Sequence, residues 1–442
     1  MTQYSLKIKI ALFALFFCSF TREAIADEVP LSQVRQVAIQ AFANCSILSN
    51  SEVTIKDIIP LRKNDTVLLY ICNFEKGFVI VSADDVARPI LGYGNTNPFD
   101  TNNIAPAVDF IINGYKEEVL NAKRTQAVSS SDIQDEWRTL INNDINRSFY
   151  TTGTYLILTQ WSQHGGYILP SNIGYNYYCP KRYVYYNDSC TTIVGCGAVA
   201  LAQILHYWSC DVYPHGTVYN NNENIYLNLS SQSYQWYDMH YDKADIYNAK
   251  LLADCAVAIN SIFACFSPDT GTNSYPLEIC NKLKNNYGFT NANLEYKTSD
   301  DVWIAKLKND LSQRYPIFYA GSDININSSH GWIVDGFDNN NMFHCNFGWG
   351  GNGDGWYLLT SINPGSYNYN YQHHAILHCY PTTFANTEFI NSNISTGTYN
   401  GHKIIIENSS INNNATVVMD PDCSTEIFGP FTVPIGSTLH VK

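Results

Sequence analysis

Apolar residues recur at helical spacing in two segments near the N-terminus of the chain. One segment is 31–42, where a single face collects Leu31, Val34, Val37, Ala38, Ala41 and Phe42. The other runs over 106–120 and opens with Pro106, a residue suited to the first turn of a helix. Between them, 67–71 and 77–81 are short runs of β-branched and aromatic residues separated by a polar turn. The pattern predicts an N-terminal unit made of helices and a β-hairpin.

The pattern changes after this unit. Residues 123–149 begin with a small, polar stretch, which predicts a linker or domain boundary open to proteolysis. A second unit starts near Thr151, with a helix predicted over 195–208 and strand-like runs with glycine turns from Ile317 onward. Residues 382–442 alternate short apolar runs with Asn, Ser, Pro and Gly. This last segment is predicted to form a small accessory β domain.

Composition is that of a globular chain with two or three folded units. The 442 residues are 45% hydrophobic and 15% charged, so most of the length can bury apolar surface. The formal net charge is -13, and no Lys/Arg-rich stretch interrupts it. Because such a chain repels a phosphate backbone, no nucleic-acid partner is expected.

The first 26 residues have the pattern of an export signal. Lys7 and Lys9 precede the apolar run 10–17, and Ala24-Ile25-Ala26 is a small-residue cleavage sequence. Charged residues end the apolar stretch too early for a membrane anchor. We therefore expect a secreted mature protein, extracellular or periplasmic, with no membrane span.

Cysteine spacing argues against a metal site. The chain has 13 cysteines, and an exported protein can keep disulfides, but spacing alone does not determine their pairing. No two cysteines have the C-x-x-C spacing, and His374 and His378 have no Glu between them as a zinc-protease helix would. Neither a metal nor another cofactor is expected.

Cys196 is the strongest candidate for a reactive residue. It lies between Gly195 and Gly197 at the start of the predicted helix, where free backbone N–H groups and the helix dipole favour a thiolate. The flanking glycines leave room for a substrate backbone. A structural half-cystine is the alternative interpretation, because many cysteines surround it.

Three further residues favour a nucleophile. His330 begins an apolar strand 134 residues later (330 − 196 = 134), within the range of papain-like enzymes. Asn346, on the next predicted strand, can orient the imidazole. Gln163, 33 residues before the cysteine (196 − 163 = 33), can form an oxyanion hole with the backbone N–H of Cys196.

The glycine-rich run 347–356 is not predicted to bind phosphate, because it lacks the Lys-Ser/Thr pair and the following helix. We interpret it as a flexible loop at the cleft, with Trp349 shielding His330 and Asn346 from water. A core tryptophan in a glycine hairpin is the alternative for Trp349.

These residues resemble the streptopain family of secreted bacterial cysteine proteases, which are papain-like in fold. The resemblance is carried by four blocks in the same order: Gln160–Gln163, Gly195-Cys196 with Ala200–Tyr207, His330–Gly336 and Asn346–Gly351. Residues 77–85 and 89–93 also resemble the family's propeptide. The sequence departs from the family's pattern at Phe347, usually tryptophan, and at Ser329, usually glycine.

The resemblance implies an α+β chain in four parts: signal peptide 1–26, inhibitory pro-domain 27–149, two-lobed protease domain 150–381 and accessory β domain 382–442. It implies that the pro-domain covers the cleft as an intramolecular inhibitor until the enzyme removes it. The implied catalytic residues are Cys196, His330, Gln163, Asn346 and Trp349. Ser329 and Thr272 fall where the family contacts the substrate backbone.

The leading hypothesis is a secreted cysteine endopeptidase that acts on protein or peptide substrates and is made as a self-processing zymogen. A papain-like transglutaminase or amidase would use the same thiol for a different acyl transfer. A secreted protease inhibitor or binding protein is the non-catalytic alternative. Trapping Cys196 with a thiol-specific inhibitor would separate the enzymes from the binding protein.

Overall fold

The computed structural model describes residues 28–45, 53–142, 153–165, 173–185, 188–265, 272, 274–322, 329–362, 372–382 and 386–442. The predicted signal peptide lies outside the described residues.

Both helices and strands occur throughout the described residues. The α-helices are α1 Leu31–Cys45, α2 Pro106–Thr125, α3 Ser131–Asn142, α4 Cys196–Trp208, α5 Ile246–Ala258, α6 Pro276–Asn286 and α7 Asp300–Ser312. The strands before α7 are β1 Asp57–Lys63, β2 Thr66–Phe74, β3 Gly77–Ser82, β4 Ile90–Gly94, β5 Lys181–Tyr185, β6 Asp188–Thr191, β7 Thr217–Asn220, β8 Ile225–Asn228 and β9 Asn293–Tyr296. The strands after α7 are β10 Ile317–Ser322, β11 Ser329–Phe337, β12 Met342–Asn346, β13 Gly355–Leu358, β14 Gln372–Leu377, β15 Thr387–Ile390, β16 Asn393–Ile394, β17 Gly397–Ile411, β18 Thr416–Thr432 and β19 Thr438–Val441.

The predicted N-terminal elements are confirmed, with one correction. Helices α1 and α2 and the β2–β3 hairpin form where the apolar pattern places them, but residues 131–142 of the predicted linker form helix α3. Ile133, Trp137 and Leu140 are buried on one face of this helix. The prediction was wrong because the polar stretch before residue 131 was extended over a segment with its own helical spacing.

The N-terminal unit and the later β-rich half share one ten-stranded sheet. Its order is β1-β2-β3-β4-β13-β12-β11-β10-β14-β9, and the two parts meet where β4 pairs antiparallel with β13. At that junction Tyr93 lies opposite Trp356, and Gly92 lies opposite Tyr357. One hydrophobic core also spans both parts. The N-terminal unit is therefore a structural continuation of the β-rich half.

Helix α4 forms the centre of a second core. Almost every residue of the helix is buried, and one side of it packs against β10 and β11 through Phe318 and Ile333. Helices α5 and α6 cover other sides. The predicted helix-rich and β-rich halves thus meet along α4, whose first residue is Cys196.

The C-terminal unit is a parallel β structure with its own small core. Strand β17 pairs with β18 so that Gly397 lies opposite Val417, an offset of 20 residues (417 − 397 = 20). Strand β18 pairs with β19 in the same parallel sense. Parallel neighbours with such short connections indicate successive coils that stack on one another, as in a solenoid.

Covalent and ionic contacts fix this unit to the end of α4. A disulfide joins Cys210, just after α4, to Cys423 of β18. The buried Lys403 ammonium lies 3.0 Å from the carboxylate of Asp211 and 3.0 Å from that of Glu426. The His402 Nε2 also contacts the Asp211 carboxylate. The C-terminal unit is therefore anchored where the central helix ends.

We expect Lys403→Met to lower the free energy of unfolding by about 3–5 kcal/mol, because it leaves the buried Asp211 carboxylate without its main partner. Urea unfolding followed by tryptophan fluorescence measures the change. Lys442→Met is the matched control: its pair with Asp420 is exposed, so the expected change is within about 0.5 kcal/mol. Equal effects of the two substitutions would contradict the anchoring role of Lys403.

Candidate active site

Cys196 is a free cysteine at the first position of α4. Gly195 precedes it with φ 95°, and a Cβ at that position would approach the side chain and carbonyl of Thr272 to 2.9 Å. The backbone N–H of Gly331 donates to the Cys196 Sγ at 3.4 Å. The start of the helix and the start of β11 therefore meet at the sulfur.

The full chain favours the protonated thiol at this position. Burial raises the pKa of the Cys196 thiol above its usual value, while hydrogen bonds from the backbone N–H groups of Gly331 and Gly197 act in the opposite direction. The sequence predicted a thiolate from the helix position and from the pairing of Cys196 with His330. The helix terminus does supply donors, but in the full chain the loss of solvation outweighs them.

His330 is the second residue of β11 and lies opposite Gly321 of β10. His373 of β14 flanks the same glycine from the other side. The ring of Phe110, from helix α2, lies over Gly321 with its centroid 6.2 Å from each of the two imidazole rings. A side chain on Gly321 would overlap the Phe110 ring. The N-terminal unit thus inserts an aromatic ring beside the predicted base.

Gln163 lies next to the nucleophile segment. Its carbonyl accepts from the backbone N–H of Val194 at 2.9 Å, and its side chain is buried. The preceding residue, Ser162, forms an isolated β-bridge with Trp349. The structure therefore brings Gln163 close to Cys196 in the fold.

Asn346 ends β12 and is buried beneath the same region. Its Oδ1 accepts from Gln203 Nε2 at 3.1 Å and from the Gly348 N–H at 3.1 Å. Its Nδ2 donates to the carbonyl of Thr159 at 2.7 Å. These bonds hold the carboxamide in one orientation and connect it to helix α4.

Trp349 lies in the glycine-rich turn after β12 and is 6% exposed. Its indole Nε1 donates to Asn103 Oδ1 of the N-terminal unit at 3.0 Å, and its ring makes an edge contact with His164. Gly348 has φ 62°, and a Cβ there would meet Val199 of α4 at 2.7 Å. The glycine therefore lets this turn pack directly on the central helix.

The two predicted substrate contacts occupy different positions. Ser329 is exposed at the start of β11, next to His330. Thr272 is buried, and its hydroxyl donates to the carbonyl of Ile193 at 2.6 Å and accepts from the Ala264 N–H at 3.1 Å. Only its backbone and methyl group lie against Gly195.

Four residues near the site were not singled out from the sequence. Gln203 lay within a matched block but had only the signature of a helix interior. Asn103, Phe110 and His373 come from distant segments, and nothing in their local sequence marks them.

Within the described ranges, one group of side chains has metal-like spacing, formed by Cys210, His402 and Cys423. The two sulfurs of that group are bonded to each other.

Comparison with known proteins finds similarity along most of the chain. Residues 171–357 match the peptidase C10 family, and residues 27–119 match the Spi protease inhibitor family. The chain is 25% identical over 323 residues to streptopain of Streptococcus pyogenes, covering 67% of this chain and 75% of streptopain. It is 22% identical over 362 residues to the thiol protease/hemagglutinin PrtT of Porphyromonas gingivalis, covering 77% of this chain and 40% of that protein.

A solved structure has a similar fold. The fragment of prointerpain A from Prevotella intermedia superposes with a TM-score of 0.55 at 21% identity, covering 74% of this chain and 99% of the fragment. This shared fold confirms the α+β, two-lobed class predicted from the sequence, with its N-terminal unit.

The raised pKa of Cys196 predicts how the full chain reacts with iodoacetamide. Because the thiolate is the reacting form, labelling of Cys196 should stay slow at neutral pH and accelerate only as the pH rises above the ordinary range for cysteine. Mass spectrometry of the peptide that contains Cys196 gives the rate at each pH. Rapid labelling at pH 6 to 7 would show that the thiol is already ionised in the full chain.

Proposed function

The chain belongs to the peptidase C10 family, the streptopain family of cysteine proteases, and from that premise we propose that Cys196 and His330 form its catalytic dyad. It is a cysteine endopeptidase with an N-terminal pro-domain, made as a self-processing zymogen. One observation carries the assignment of the dyad: the 3.4 Å contact between the Gly331 N–H and the Cys196 sulfur. This contact supports the dyad because Gly331 directly follows His330 in the chain.

Each step of peptide hydrolysis has a group to perform it. The Cys196 thiolate attacks the substrate carbonyl carbon, and a C–S bond forms. Gln163 and the backbone N–H of Cys196 stabilise the oxyanion, and imidazolium His330 protonates the leaving amine as the C–N bond breaks. His330 then takes a proton from water, which attacks the thioester; the C–S bond breaks, releasing the acid and restoring the Cys196 thiolate beside imidazolium His330.

The remaining predicted residues have supporting parts in the proposal. Asn346 orients the region around His330, and its three hydrogen bonds support a fixed carboxamide. Trp349 shields that region, and its low exposure supports the assignment. Ser329 contacts the substrate backbone beside His330. Thr272 contributes through its backbone, because its hydroxyl is already bonded.

The N-terminal unit is the intramolecular inhibitor. Phe110 lies beside His330, and the side chain of Asn103 accepts from Trp349, so two predicted site residues are in contact with this unit. Its match to an inhibitor family supports the same assignment. Protein or peptide substrates would reach these residues only after the unit leaves.

The part boundaries and the cellular location belong to the proposal as well. We assign residues 1–26 to a signal peptide, 27–149 to the pro-domain, 150–381 to the protease domain and 382–442 to an accessory domain. The basic, apolar and small-residue pattern of residues 1–26 supports export of this chain. In the part of the chain that the structure describes, no helix combines the length and apolar character needed to cross a bilayer.

Self-processing of the precursor depends on Cys196 in this proposal. Purified precursor should shorten by roughly 13 kDa as the pro-domain is removed, whereas Cys196→Ala should stay full length because it lacks the nucleophile. Gel electrophoresis over time gives both rates. Cys255→Ala, a change at another free but buried cysteine, is the control and should still shorten. Equal processing of the Cys196→Ala variant would refute self-cleavage.

Inhibition of the precursor depends on Phe110 in this proposal. Phe110→Ala removes the ring between His330 and His373, so the precursor should mature several-fold faster than the unsubstituted chain. Lys116→Ala, a partly exposed position on the same helix, serves as the control and should mature at the normal rate. The time to half-maximal hydrolysis of a peptide substrate measures maturation. An unchanged time for Phe110→Ala would remove this ring from the inhibitory contact.

A further inference from the structure

Gln203 lies on the central helix beneath the catalytic cysteine. It follows Cys196 by seven residues (203 − 196 = 7), two helical turns, so both residues lie on the same face of α4. Its side chain is fully buried. A buried carboxamide must satisfy both its donor and its acceptor inside the protein, which makes its partners informative.

The carboxamide of Gln203 bonds to two separate chain segments. Its Oε1 accepts from the Thr159 hydroxyl at 2.8 Å and from the Trp161 backbone N–H at 3.3 Å. Its Nε2 donates to Asn346 Oδ1 at 3.1 Å. Asn346 in turn donates to the Thr159 carbonyl at 2.7 Å, which closes a ring of hydrogen bonds.

Both segments carry proposed catalytic groups. The segment with Thr159 and Trp161 continues directly to Gln163, the proposed oxyanion donor. Asn346 belongs to the segment that leads to Trp349, and the carbonyl of Trp161 also accepts from the N–H of Gly350 at 3.1 Å. One side chain of the nucleophile helix therefore holds both the backbone that leads to the proposed oxyanion donor and the carboxamide of Asn346, the proposed support of the base.

We propose that Gln203 is a positioning residue for peptide hydrolysis. Through its bonds to Thr159, Trp161 and Asn346, it fixes Gln163 and the support of His330 relative to Cys196. This inference rests on the proposed function of the dyad. Gln203 does not touch the reacting atoms, and it acts by keeping three catalytic groups in register, where a misplacement of about 1 Å can cost about 100-fold in rate.

The test compares two buried carboxamides. Gln203→Met keeps the length of the side chain but removes its donor and acceptors. Asn220→Leu does the same at a fully buried site on β7, where Asn220 bonds to the carbonyl of Ser261 and to the N–H groups of Asn222 and Glu223. Each matured enzyme is titrated with an irreversible thiol inhibitor, so that kcat refers to intact sites.

We expect Gln203→Met to lower kcat by about 10- to 100-fold with KM changed less than about 3-fold, and to shift the acidic limb of the pH profile of kcat/KM. Asn220→Leu should lower the melting temperature but leave kcat and the pH profile unchanged. A folded Gln203→Met enzyme with normal kcat and pH profile would overturn the proposal.

Two further variants cover the case in which Gln203→Met does not fold. Gln203→Glu keeps the acceptors for Thr159 and Trp161 and loses the donor to Asn346, so kcat should fall less than in the Met variant. Thr159→Val removes one donor to Gln203 and should lower kcat in the same direction. Normal kcat in both variants would equally overturn the proposal. The unsubstituted enzyme tests the proposed function separately. If it does not hydrolyse peptides, the proposed function is wrong, whereas normal kcat in the Gln203 variants contradicts only the role of Gln203.

Discussion

The close approach of helix α4 to strand β11 is the contact on which the rest of the site depends. Gly331 permits it: a Cβ there would meet the Phe318 ring at 2.8 Å and lie 3.7 Å from the Cα of Gly197. Because Gly331 has no side chain, its N–H can reach the sulfur of Cys196. Because a helix start and a strand start are both rigid, the two proposed catalytic residues are held by elements rather than by loops.

The other parts of the chain are built onto this contact. The N-terminal unit extends the β11 sheet through the β4–β13 pair, and its Tyr93 hydroxyl donates to Asp338 across the junction at 3.0 Å. The C-terminal unit is fixed to the opposite end of α4 by the Cys210–Cys423 disulfide and Lys403. The N-terminal unit therefore joins the site through a shared sheet, and the C-terminal unit joins it through the C-terminal end of α4.

Much of this arrangement could be predicted from local patterns. The helix at 195–208 follows from a mostly apolar run after a glycine, and the proposed roles of Cys196 and His330 were inferred from their spacing and local context. The helix at 131–142 was missed because a polar stretch before it masked its short amphipathic pattern. The parallel coils of the C-terminal unit were also not predicted, since alternation identifies strands but not which strand each one pairs with.

The sequence by itself determined most of the elements and the types of the candidate reactive side chains, because periodicity and motif spacing are properties of neighbouring residues. Only the tertiary structure decided what those side chains meet. It placed Phe110 beside His330, bonded Gln203 to Asn346 and raised the pKa of Cys196 by burial. Each of these effects depends on desolvation or on hydrogen bonds between residues far apart in the chain, and no local pattern encodes those distances.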